Sequence, residues 1–90
     1  MKSRINDDFL TVYRRLPKDV REQARKAYAL FRDNPGHPSL SFKRVYPNAP
    51  IFSVRINKSY RTVGILADDN ELIWFWIGSH ADYDRLLSAL

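Results

Sequence analysis

Between Val20 and Phe31 the apolar residues Val20, Ala24, Ala27, Tyr28 and Phe31 recur at i, i+4, i+7, i+8 and i+11. That is the spacing of one helix face. A strand cannot hold such a stripe on one side, because its side chains alternate with period two. The spacing predicts a helix from Pro17 to about Asn34, with Lys18, Arg21, Glu22, Arg25, Lys26 and Arg32 on the opposite face. Asn34-Pro35-Gly36 stops it, since proline disfavours helix at the residue before it. Asp7 to Leu16 reads as a shorter helix, with Phe9, Leu10, Tyr13 and Leu16 on one stripe and Asn6 or Asp7 as its cap. Pro17 ends that segment and suits the first turn of the next helix. The two segments predict a helical hairpin.

After the hairpin the period changes to two. Leu40 to Tyr46 reads as a strand closed by Pro47-Asn48-Ala49-Pro50. Ile51 to Ile56 follows, with Phe52, Val54 and Ile56 on one face and Ser53, Arg55 and Asn57 on the other. Asn57-Lys58-Ser59 is a turn, Tyr60 to Ala67 a strand, Asp68-Asp69-Asn70 a turn, and Glu71 to Ile77 a strand. The last two strands are apolar on both faces and read as central. Short connections require antiparallel pairing. Lys2 to Ile5 is a candidate edge strand. A closing helix runs from about His80 to Ala89, with Tyr83, Leu86, Leu87 and Leu90 at helical spacing. The expected fold class is α+β: an N-terminal helical hairpin packed on a small antiparallel meander, then a short C-terminal helix. All helices are expected on one sheet face.

Ninety residues fit one domain, 1–90, with one modest core. A hydrophobic fraction of 44% with 28% charged residues excludes extensive disorder. Cysteine is absent, which excludes disulfides and thiolate metal sites. Two histidines without a carboxylate cluster speak against zinc, so no metal and no cofactor is expected. Met1 to Asn6 carries no apolar signal core, and the run Ile73 to Ile77 is too short to span a bilayer. A cytoplasmic protein with no membrane partner is the expectation. The net charge of +5 favours nucleic acid or acidic protein partners.

Three stretches carry a resemblance. Phe52-Ser53-Val54-Arg55-Ile56, a short turn, then Tyr60-Arg61-Thr62-Val63-Gly64 resembles the paired central strands of RelE/ParE-type toxins. Trp74-Phe75-Trp76-Ile77-Gly78-Ser79-His80-Ala81-Asp82-Tyr83 is similar to the final strand and Gly-x-His/Arg exit of the same superfamily. Asn34-Pro35-Gly36-His37-Pro38-Ser39-Leu40, with Phe42-Lys43 after it, looks like the variant in small RelE-like proteins. The resemblance implies the toxin of a type II toxin–antitoxin system, with a cognate antitoxin as partner. It further implies a metal-independent endoribonuclease that cleaves messenger RNA at the ribosome and so inhibits translation.

Such cleavage turns a ribose 2′-hydroxyl against the neighbouring phosphate. It needs cations at the phosphate, a base and an acid. By the resemblance Arg61 is the family's Tyr-Arg arginine, and Arg55 stands where members carry Lys or Arg. Either could instead pair with a carboxylate or the antitoxin. A guanidinium suits phosphate because its donors form a fixed, charged fork. His80 is the acid/base candidate, because histidine ordinarily titrates near neutrality; its alternative role is a helix cap beside Ser79. Tyr83 could stack on a base, assist proton transfer or pack the core. Asp82 could orient His80 or sit favourably in the first helical turn. Lys43, Lys58, Arg21 and Arg25 are candidate RNA contacts, with ordinary solvated charges as the alternative. His37 reads as structural, and Trp74 with Trp76 as sharing one strand face. Ser53 departs from members that carry a second lysine two residues before the Arg55 position. Two other functions fit the same fold: a ParE-like non-enzymatic toxin that binds DNA gyrase, and an inactive or regulatory RelE-fold binding domain.

Overall fold

A computed structural model describes residues 2–68 and 70–90. Its elements are β1 (Lys2–Ile5), α1 (Asp7–Tyr13), α2 (Lys18–Asp33), a 3-10 turn (Pro38–Leu40), β2 (Lys43–Tyr46), β3 (Ile51–Arg55), β4 (Tyr60–Ala67), β5 (Glu71–Ser79) and α3 (His80–Ala89). The α+β class, the helical hairpin, the meander and the closing helix stand as the sequence predicts. Asp69, inside the turn expected over 68–70, lies outside the described residues. Its neighbour Asn70 donates its backbone N–H to the Ala67 carbonyl and takes a left-handed φ of 57°.

Local chemistry sets the boundaries. The Asn6 side chain accepts from the Phe9 amide at 2.9 Å and starts α1. The Ser79 hydroxyl accepts from the Asp82 amide at 3.2 Å and starts α3. The stripe on α2 buries Val20, Ala24, Ala27 and Phe31, as its period requires. The expected first strand is shorter than its apolar pattern suggests. Pro38–Leu40 forms the 3-10 turn, Leu40 plugs the core from it, and Ser41 turns the chain with a left-handed φ of 45°.

The five strands run in the order β1-β5-β4-β3-β2. Strands β2 to β5 pair antiparallel, while β1 lies parallel to β5, so the sheet is mixed. The candidate edge strand is thus present. It reaches β5 by way of the whole intervening chain, which frees it from the antiparallel rule for short connections.

One expectation is corrected. The helices do not share a face. The hairpin packs with Val54, Leu72, Trp74 and Ile77, whereas Leu86 and Leu87 of α3 pack with Ile51, Val63 and Tyr83 on the other side. Strands apolar on both faces need cover on both. Burial of one large aliphatic side chain such as Leu72 or Ile77, both fully enclosed, contributes about 1.5–3 kcal/mol.

The tryptophans are a second correction. Val63 pairs with Trp76 but Gly64 pairs with Trp74, so β5 carries one extra residue at Phe75. This bulge rotates the strand. Trp74 therefore enters the hairpin-side core, where it meets Phe31 edge to face at 5.3 Å. Trp76 packs on the α3 side near Tyr83. Gly64 makes the bulge possible, because a Cβ there would lie 2.8 Å from the Trp74 ring.

Candidate active site

Odd-numbered residues of β3 point away from the hairpin, and this alternation builds the site. Ser53 and Arg55 emerge on the α3 face. Arg61, at the start of β4, stands directly opposite Arg55, and Lys43 on β2 stands opposite Ser53. The turn between β3 and β4 is organised by Asn57, whose side chain accepts from the amides of Ser59 and Tyr60 at 2.7 and 2.9 Å. The Ser59 carbonyl then accepts from the His80 amide at 2.8 Å. That bond ties the first residue of α3 to the turn and sets His80 beside the arginines.

The result is an open cleft of about 130 Å³ lined by Ser41, Lys43, Ser53, Arg55, Arg61, His80 and Tyr83. Three of these, Lys43, Arg55 and Arg61, are cationic side chains, and among the described residues no carboxylate lines the cleft. Among the described residues none of the three makes a salt bridge. Arg61 spends one guanidinium nitrogen on the carbonyls of Asn57 and Tyr60, at 2.8 and 3.0 Å, which holds the remainder of its fork in place. Cations gathered without internal counter-charge attract an anion from solution. Ser53 has a structural partner rather than a ligand: the buried Tyr83 hydroxyl and the Ser53 hydroxyl lie 3.3 Å apart. The Tyr83 ring lies edge-on to the His80 imidazole at 5.7 Å.

Five candidates from the sequence, Lys43, Arg55, Arg61, His80 and Tyr83, thus converge. Four do not. Lys58 lies in the exposed turn outside the cleft lining. Arg21 and Arg25 sit on α2, across the sheet; Arg25 borders an apolar groove with Ile5, Phe9 and Tyr28. Asp82 does not orient His80. It pairs with Arg85 at 3.0 Å, while Asp84 takes the His80 Nδ1 at 3.3 Å. On a helix, residues two apart diverge and residues four apart align. His37 is structural as read, its Nδ1 accepting from the Ser39 amide at 3.2 Å. Ser41 lines the cleft without any signal in the sequence, since its left-handed backbone follows from tertiary packing. Among the described residues no group of three His, Asp or Glu side chains is placed to hold a metal. No described helix is long and apolar enough to cross a membrane.

Comparisons with known proteins agree with this architecture. A family model for the ParE-like toxin domain matches residues 18–85. The chain belongs to that family, within the RelE/ParE-type toxin superfamily. Among solved structures it is similar to the toxin in the E. coli RelBE toxin–antitoxin complex, at 22% identity and a TM-score of 0.62 over 86% of this chain and 93% of that one. It is similar to the YoeB/ParE toxin from Agrobacterium tumefaciens, at 16% identity and 0.67 over 89% and 99%. YafQ from E. coli matches at 11% identity and 0.71 over 91% and 96%. No curated protein matches the sequence.

Proposed function

We propose that this chain is the toxin of a type II toxin–antitoxin pair and cleaves messenger RNA at the ribosome without a metal ion. The observation that carries the reading is the cleft itself: Lys43, Arg55, Arg61 and His80 surround a space that no carboxylate lines among the described residues. The 2′-oxygen attacks phosphorus, the bond to the 5′-oxygen breaks, and a cyclic phosphate remains on one fragment. Arg55 and Arg61 bind the non-bridging oxygens, where negative charge grows in the transition state. His80 accepts the 2′-hydroxyl proton and returns it to the departing 5′-oxygen. Lys43 holds the neighbouring phosphate, and the Tyr83 ring borders the reacting nucleotide. A solved relative is a complex of toxin with antitoxin, and the net charge of +5 suits an acidic antitoxin here.

The test is brief induction in cells followed by primer-extension mapping of messages. Cuts in register with codons are expected, absent for Arg61→Ala and His80→Ala. Intact messages during growth arrest would overturn the reading. The match to a ParE-like family model favours a second one, a toxin that binds DNA gyrase and performs no chemistry. It predicts DNA-damage signalling in the same experiment, undiminished by His80→Ala.

A further inference from the structure

Among the described residues lining the cleft His80 supplies the imidazole, and a base must present a lone pair to its substrate. Which imidazole nitrogen does so depends on what holds the other. His80 Nδ1 lies 3.3 Å from the Asp84 carboxylate, one helical turn along α3. Asp84 lies outside the cleft lining, whereas His80 is part of it. The nitrogen left to the cleft is therefore Nε2.

The nearby alternatives are committed elsewhere. The Asp82 carboxylate pairs with Arg85, and its amide is taken by the Ser79 cap. Tyr83 reaches Ser53. The other charged groups around the imidazole, Lys43 of β2, Arg55 of β3 and Arg61 of β4, are cations that offer Nδ1–H no acceptor.

We infer that Asp84 is a positioning residue, which holds His80 in its Nδ1–H form and turns the Nε2 lone pair toward the cleft. The inference deepens the nuclease reading and takes its purpose from it. When Nε2 accepts the 2′-hydroxyl proton, the imidazolium forms beside a carboxylate already in place. The proton then leaves from Nε2 to the 5′-oxygen, and Nδ1 keeps its own throughout. Asp84 touches neither substrate nor reacting atom.

Two measurements on the full chain test this. Long-range proton–nitrogen spectra of the labelled imidazoles, with His80→Ala to separate His80 from His37, read the tautomer directly. The neutral ring is expected as Nδ1–H in the wild type and as a mixture with substantial Nε2–H in Asp84→Ala. Asp84→Glu is expected to restore the wild-type form. Single-turnover cleavage of ribosome-bound message should fall about tenfold in Asp84→Ala, with message binding unchanged. It should fall no further when Asp84→Ala is added to His80→Ala. Nε2–H in the wild type, or a tautomer indifferent to Asp84→Ala, overturns the assignment. If the wild type cuts no message, the nuclease reading fails, and the spectra alone decide the pairing.

Discussion

Arg55 and Arg61 occupy directly opposed positions on β3 and β4, two cations face to face across one antiparallel pair. Opposed like charges destabilise a sheet by about 0.2–1 kcal/mol relative to neutral pairs. Among the described residues only Arg61 offsets part of that cost, by donating to the carbonyls of Asn57 and Tyr60.

Arg55→Ala should therefore separate stability from function. The melting temperature is expected to hold or rise, while single-turnover cleavage falls on the order of 100-fold. Arg61→Ala should lose both, with about 1 kcal/mol of stability forfeited through its carbonyl bonds. Thermal unfolding beside cleavage of ribosome-bound message makes the comparison. Equal destabilisation by the two substitutions contradicts it.

Binding of single-stranded RNA should depend on salt through the cleft cations. Each phosphate contact contributes a slope of about 0.7 to the logarithmic salt dependence for single strands. Lys43→Gln should flatten the slope by about that much, and Lys58→Gln should leave it unchanged. Titrations at several salt concentrations check both.

Tyr83→Phe keeps the ring and removes the hydroxyl beside Ser53. The buried serine loses its partner, at a cost of about 1–2 kcal/mol. Adding Ser53→Ala should recover part of that loss. Chemical denaturation of the four proteins in the cycle measures the coupling, and strict additivity would show that the bond contributes nothing.

Gly64→Ala places a methyl group 2.8 Å from the Trp74 ring and 3.1 Å from the Ile73 carbonyl. Crowding of this kind in a packed core costs about 1–3 kcal/mol. At Gly36 a Cβ meets nothing closer than 3.7 Å, and Gly36→Ala serves as the control. The urea midpoint should fall for the first substitution only.

The parts of the fold that the sequence revealed are those governed by local period. The stripe on α2 and the alternation in β3 predict both the buried face and the residues that emerge opposite it. Arg55, Arg61, His80 and Tyr83 were singled out chiefly through the resemblance to RelE/ParE-type toxins, and the fold brings them to one cleft. The tryptophan pair was not. Strict alternation puts Trp74 and Trp76 together, and the extra residue at Phe75 becomes visible only against its partner strand. Helix α3 starts at His80 as expected, so the four-residue spacing from His80 to Asp84 was open to reading on that helix; closeness in sequence pointed to Asp82 instead. The cover on the second sheet face was implied by the apolar character of β4 and β5, although all the helices were expected on one face.

The pairing of β1 with β5 also governs the order in which the molecule can assemble. Lys2 meets Glu71 and Ile5 meets Trp74, so the first strand waits for a template that the chain makes late. Such distant contacts repay their loop-closure entropy only at the end. The meander of β2 to β5 can form from neighbours, yet its cleft lacks His80 and Tyr83 until α3 docks. A nascent chain on the ribosome that makes it thus carries Arg55 and Arg61 before it carries His80. Chain growth itself keeps the cleft incomplete until α3 has been synthesised.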